Sequence, residues 1–324
     1  MNQAEIIDPA GNIRRIVPED ACEGRWIAPD GHAIRRIDFA GDSGAPRGSL
    51  LFLPGRGDFY EKYLETLIYW SQRGWRVTAI DWRGQAGSGR LGADAVTGHV
   101  GDFSIWVNDL AAFWAEWSTA VPGPRILAGH SMGGHLALRA LAEDRVDPDA
   151  LILSAPMLGL VGKAVPVAVL QRVARMMGMF GDPRRPAWKW SEKPGVVPAD
   201  RSWLLTHDQA RYADELWWRE NRPELVMGPG SWGWLERALA SIRGLDAPGV
   251  MERITTPIFI TATRADRLVD YSAIERAARR LPNAELQSFG AEARHEIFRE
   301  VDDVRDKALC AIDDFLDRTA SKVD

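Results

Sequence analysis

At 324 residues, with 46% apolar and 26% charged side chains and 19 prolines spread along its length, the chain can bury a large core, which excludes disorder and collagen-like repeats. The length is about twice that of a usual domain and suits one enlarged α/β domain or one carrying an insertion. Forty Lys and Arg against 45 Asp and Glu give a net charge of -5 with no basic run, so nucleic acid is not expected as a partner, while Cys22 and Cys310 have no CxxC or Cys/His spacing and suit reduced, structural thiols.

The first twenty residues carry charges and no apolar h-region, which argues against a signal peptide. The longest apolar stretch, 156–176, is interrupted by Lys163, Pro166, Arg172 and Arg175, so a soluble, cytoplasmic chain is expected. β-leaning segments come at 32–39 and 48–55, the second stopped by Pro54 and Gly55. A helical pattern runs from Asp58 to before Gly74, followed by a strand at 75–84 and a Gly-rich loop. Phe103, Trp106, Val107, Leu110, Phe113, Trp114 and Trp117 form the stripe of a second helix. Then come a strand at 124–129, a helix from Met132, and an apolar strand at 150–156. This alternation predicts a mostly parallel sheet flanked by helices. It breaks after Pro156 and returns with 254–263, a helix from Tyr271 to Arg280, a strand at 284–290 and a closing helix from Val301 to Arg318. The expected organisation is an α/β core, 1–156 and 251–324, with a helical insert at 157–250. Seven of the 14 tryptophans fall between residues 188 and 234, a density that suits either the wall of an apolar cavity or ordinary core packing.

The most specific motif is Gly129-His130-Ser131-Met132-Gly133, a G-x-S-x-G placed between a strand and a helix. There Ser131 would project its hydroxyl from a sharp turn, and the glycines would remove side chains that collide with nearby backbone. A plain strand–helix turn or phosphate loop is the bland alternative, but Gly-x-Gly-x-x-Gly spacing and a Walker Lys are missing. A serine nucleophile needs a base. Of the six histidines, His130 and His135 flank the turn and are expected to point away from the reacting side, His32 precedes the main sheet, and His207 lies in the insert. His295 follows the last strand, where loops at the carboxyl ends of strands converge. Asp266 follows a strand and precedes His295, giving the order Ser, Asp, His; Asp270 competes but also reads as a helix N-cap. Backbone donors for an oxyanion are expected from Met132 and from Arg56 in the LPGRG loop, whose side chain reads equally as a structural ion-pair partner. No metal-ligand spacing appears among His, Asp and Glu, and no cofactor is expected.

Taken together, LPGRGDFYEKY (53–63), IDWRGQAGSGR (80–90), GHSMGG (129–134), LSAPMLGL (153–160), the insert segment 204–225, ADRLVD (265–270) and RHEIFRE (294–300) resemble the α/β-hydrolase superfamily, in its monoacylglycerol lipase and lysophospholipase group that includes the bacterial lysophospholipase L2-like proteins. The resemblance covers nearly the whole chain. It implies an α/β-hydrolase fold with the insert as a cap, the triad Ser131, Asp266 and His295, and the oxyanion positions Arg56 and Met132. Two positions depart from the group's pattern: Pro54 stands where a His is common, and Thr263 where a Gly is common three residues before the acid.

The expected activity is hydrolysis of a carboxylic ester through an acyl-serine, with monoacylglycerol or lysophospholipid as substrate. Short-chain esters, thioesters and small amides suit the same machinery. Val169, Val173, Met176, Met177 and Phe180, with Val165, Leu170 and Met179, are expected to line the acyl site. A transient contact of the cap with a membrane surface is also expected, consistent with a place at the inner face of a membrane. Two further classes stay open: an aminopeptidase, if Asp208, Asp214, Glu215 or Glu220 present paired carboxylates to a substrate amine, and a non-enzymatic ligand-binding protein.

Overall fold

The strands at the centre of the sheet are apolar on both faces because helices cover both. In the computed structural model, which describes residues 14–41, 46–161, 167–188 and 201–320, every residue of β3 (Gly48–Leu53), β6 (Ala150–Ser154) and β7 (Ile258–Thr263) is buried. The other strands are β1 (Ala21–Ile27), β2 (Ala33–Phe39), β4 (Trp75–Ile80), β5 (Arg125–His130) and β8 (Ala284–Phe289). They form one eight-stranded sheet in the order β1-β2-β4-β3-β5-β6-β7-β8. β1 and β2 pair antiparallel with their neighbours; from β4 to β8 all pairing is parallel.

Helices α1 (Leu64–Gln72), α2 (Phe103–Ala120), α3 (Met132–Ala142), α8 (Tyr271–Arg280) and α9 (Asp302–Thr319) flank the sheet; each matches a predicted helix to within a few residues except α1, which begins six residues after the expected Asp58, behind a 3-10 turn at Tyr60–Tyr63. One core layer packs α2, α3 and α8 against one face through Leu51, Leu127, Leu153 and Ile260. The opposite layer packs α1 and α9 through Phe52, Ile126, Ile152 and Phe259. Alternate residues of the same strands thus serve opposite layers. The tryptophan-rich α2 starts on an Asp102 side chain that accepts from Ser104 N–H at 2.8 Å.

Between β6 and β7 the chain forms α4 (Val167–Met179), α5 (Ser202–Leu205), α6 (Gln209–Asn221) and α7 (Trp232–Leu245). The expected lining residue Val165 lies outside the described residues. Strand β1 was not foreseen: of ACEGRWI only Trp26 is buried, so the segment has no apolar pattern and becomes a strand by pairing with β2 at the sheet edge. Cys22 and Cys310 are both free and exposed at the surface.

Candidate active site

β5 carries the chain into a strained turn and directly into α3. Ser131 sits at that junction with φ 51 and ψ -115, a left-handed conformation unusual for a residue with a side chain. The glycines around it are sterically obligatory. A Cβ on Gly133 would stand 2.2 Å from the Leu53 carbonyl oxygen and 2.5 Å from that of Pro54; one on Gly129 would stand 2.7 Å from Gly133 backbone. Bare backbone therefore lets the serine turn lie against the end of β3.

His295, in the loop after β8, reaches the same edge. Its Nε2 accepts from Ser131 Oγ at 3.0 Å, and its Nδ1 donates to Asp266 Oδ2 at 2.7 Å. The other oxygen of Asp266 accepts the Leu268 and Val269 N–H groups at 2.8 and 3.0 Å. Burial would raise the Asp266 pKa, but the His295 charge and these hydrogen bonds outweigh it and hold the carboxylate below its usual range. Burial would likewise lower His295, yet Asp266, with Glu296 and Asp58, prevails and raises it. Asp270 is engaged elsewhere: it caps α8, accepting from Ser272 N–H at 2.9 Å.

Met132 opens α3 directly after Ser131, which puts its N–H at the positive end of a helix. On the other side, the loop after β3 is held by its own flanks. Gly55 N–H donates to Asp58 Oδ2 at 3.0 Å and Gly57 N–H to Gln85 Oε1 at 2.6 Å, with Arg56 between them. The Arg56 side chain leaves this loop: its guanidinium donates to the Gly228 carbonyl at 2.7 Å and lies 5.2 and 4.9 Å from the Trp188 and Trp234 rings. Its anchor is a carbonyl and two indoles of the insert.

The two departures from the group's pattern have clear local consequences. Thr263 Oγ donates to the Gly290 carbonyl at 2.7 Å and accepts from Ala265 N–H at 3.0 Å, joining the loop of Asp266 to the loop of His295. Pro54 uses only its carbonyl, which accepts from Trp82 Nε1 at 2.8 Å.

His130 differs from expectation. It does not point away from the reacting side: its ring packs 4.8 Å from that of His295. Burial, then the neighbouring His295, pushes its pKa down to about 4, so it is neutral near pH 7. His135 does turn inward, bonded to Ser241 Oγ at 2.7 Å.

A cavity of about 520 Å³ opens on Ser131 and His295. Part of its lining is apolar, with Met157, Leu160, Leu170, Leu235, Leu268 and Val269; part is charged, with Asp58, Lys62, Glu215 and Glu296. Trp188 and Trp234 contribute two of the clustered indoles. The lining expected from α4 needs correction. Val169, Val173, Met176 and Phe180 are 43, 41, 56 and 77% exposed, and neither they nor Met177 borders the cavity. Positions 169, 173, 176 and 180 share one helix face, whereas the buried Gln171 and Ala174 lie on the opposite face. Among the described side chains of this helix, only Leu170 reaches the cavity. The residues overlooked in the sequence, Leu160, Leu268 and Val269, are the apolar positions just beyond β6 and β7; Leu160 and Val269 bridge to each other.

The carboxylates considered for an amine site are largely occupied by cations. Asp208 caps α6 and binds Arg211, Asp214 binds Arg14 and Arg15, and Glu215 binds Lys62 and Arg299.

Residues 44–302 match the family model described as serine aminopeptidase, S33 (Hydrolase_4). The chain is 32% identical over 283 residues to lysophospholipase L2 of Escherichia coli (strain K12), covering 83% of this chain and 80% of that protein. It is 26% identical over 262 residues to a monoacylglycerol lipase of Mycolicibacterium smegmatis, covering 79 and 83% of the two chains. Among solved structures, a soluble variant of monoglyceride lipase from Saccharomyces cerevisiae superposes with a TM-score of 0.73 at 20% identity, over 96% of this chain and 100% of that one. With this fold and a family match across most of its length, the chain belongs to the S33 family of α/β hydrolases.

Proposed function

We propose that the protein is a serine hydrolase of single-acyl lipid esters, monoacylglycerol or lysophospholipid, acting through an acyl-Ser131 intermediate. The observation that carries this reading is the continuous relay from Asp266 through His295 to Ser131, at 2.7 and 3.0 Å, opening on a partly apolar cavity. Ser131 Oγ attacks the ester carbonyl carbon while His295 Nε2 takes its proton. The resulting oxyanion accepts from the Arg56 and Met132 N–H groups. Collapse of the tetrahedral intermediate expels the alcohol, protonated by His295. Water, deprotonated by the same nitrogen, then attacks the acyl carbonyl; the acid leaves and Ser131 recovers its proton. Asp266 holds the tautomer and balances the imidazolium.

The segment 157–250 serves as a cap, supported by the contributions of Leu170, Trp188, Trp234 and Leu235 to the cavity wall. Its helix α4 rests on a lipid surface. The support is the exposed stripe of Val169, Val173, Met176 and Phe180 beside the exposed Arg172 and Arg175, the composition of an interfacial helix. Among the described residues no helix is long and apolar enough to cross a membrane.

The test is hydrolysis of p-nitrophenyl butyrate, a monoacylglycerol and a lysophosphatidylcholine by the wild type and Ser131→Ala. The variant should lose about 10⁴-fold or more in kcat with an unchanged circular dichroism spectrum. A fluorophosphonate should add to Ser131 in the wild type alone. Near-normal turnover by the variant would overturn the mechanism.

A further inference from the structure

The mechanism leaves a buried lysine unexplained. Lys62 lies just before α1 with its side chain 3% exposed, and its ammonium directs its three donors at three carboxylates: Asp58 at 2.6 Å, Glu296 at 2.8 Å and Glu215 at 3.1 Å. Burial alone would lower its pKa, but the three carboxylates raise it and keep it charged. Burial would raise Glu296, yet Lys62 and Arg299 prevail and push it down to about 2. All four groups are therefore ionised near pH 7.

Each carboxylate belongs to a different part of the site. Asp58 holds the loop of Arg56 by accepting from Gly55 N–H at 3.0 Å, and it also accepts from Tyr63 Oη at 2.8 Å. Glu296 is the residue after His295, and its own N–H donates to the Leu205 carbonyl of α5 at 2.8 Å. Glu215 belongs to α6 of the insert and also receives Arg299 at 2.9 Å. A buried ion cluster is poor evidence of added stability, because desolvation of its charges offsets most of their attraction. The three-way contact joins segments that are far apart in sequence and meet at the reacting atoms.

We propose that Lys62 is a positioning residue that fixes the oxyanion loop, the His295 loop and helix α6 relative to one another. The proposal rests on the serine-hydrolase reading above. In it Lys62 borders the cavity but acts through the three carboxylates it holds. Its removal displaces the Arg56 N–H from the oxyanion and leaves the carboxylates beside His295 less compensated. The groups facing His295 are Asp266, Glu296, Asp58 and the neutral His130, with Lys62 and Arg299 paired to those carboxylates.

The experiment measures kcat, KM and the pH profile of p-nitrophenyl butyrate hydrolysis, per site titrated with fluorophosphonate, for Lys62→Met and Lys62→Arg. Lys62→Met/Glu215→Gln keeps the net charge and supplies a folded alternative should the single variant fail to fold. A misplacement of about 1 Å lowers rates about 100-fold, so kcat should fall by that order while KM changes little. With the cation gone, the His295 pKa rises and the acid limb of kcat/KM moves to higher pH; Lys62→Arg returns the limb to its wild-type place. A folded Met variant with wild-type kcat per titrated site and an unmoved limb, differing only in Tm, would overturn the proposal and leave a structural lysine. Ser131→Ala, assayed in parallel, tests the hydrolase reading separately: retained turnover there condemns that reading whatever Lys62 does.

Discussion

Asp266 and Asp270 are four residues apart, and the geometry separates their roles. Asp266 holds His295 Nδ1, whereas Asp270 ends in a helix cap. Asp266→Asn should therefore lower kcat by about 10⁴-fold, while Asp270→Asn, which keeps a capping oxygen and loses only its charge at the helix end, should cost less than about 1 kcal/mol of stability with kcat nearly intact. The pH profile adds a signed test. Because the His295 pKa is raised above its ordinary 6.5, activity should climb with pH through a limb centred above that value. Removing the Asp266 charge lowers the His295 pKa, so residual activity of Asp266→Asn should show its limb at lower pH. Kinetics of both variants from pH 5 to 9 would check this; a larger catalytic loss in Asp270→Asn would reverse the assignment.

At the scale of elements, α4 separates the two uses of an apolar side chain. Leu170 borders the cavity, whereas Met176 and Phe180 face solvent. Each methylene of an acyl chain buried in the cavity adds at most about 0.8 kcal/mol to transition-state binding, roughly a fourfold gain in kcat/KM. Leu170→Ser should flatten that gain across p-nitrophenyl esters of increasing length. Met176→Ser/Phe180→Ser should leave soluble esters unaffected and weaken both hydrolysis of a monoacylglycerol carried in anionic phospholipid vesicles and co-sedimentation with those vesicles. Equal losses on soluble and vesicular substrates would instead make the stripe part of the catalytic cavity. The helical character of this segment was legible in the sequence. Which way its stripe faced was not, because the opposite face carries Gln171 and Ala174, and a small residue can bury as completely as a large one.

For the molecule as a whole, the buried histidines make stability depend on pH. Burial depresses His130 to about 4 and His135 to about 3, so below the unfolded value of 6.5 the unfolded chain takes up protons that the native chain refuses. Stability is thus lost as pH falls from 6.5 toward 4. His295 acts in the opposite sense, since its raised pKa favours the native state below 6.5 and that contribution fades as pH rises through its folded value. The two depressed groups outnumber it, so urea unfolding should show a net decrease on acidification, smaller in His135→Gln; a flat profile would contradict neutral burial. The sequence alone determined the parallel sheet, through apolar strands spaced by helices. It also singled out Ser131, His295 and Asp266, which the structure joins by hydrogen bonds, because a nucleophile turn needs small neighbours at fixed spacing and the base and acid are sought after later strands. Only the tertiary structure decided that His130 packs against His295, that β1 joins the sheet edge, that the α4 stripe faces outward, and that Lys62 joins three segments. Each of these depends on contacts between residues far apart in the chain, and local periodicity carries no record of which distant surface a side chain will meet.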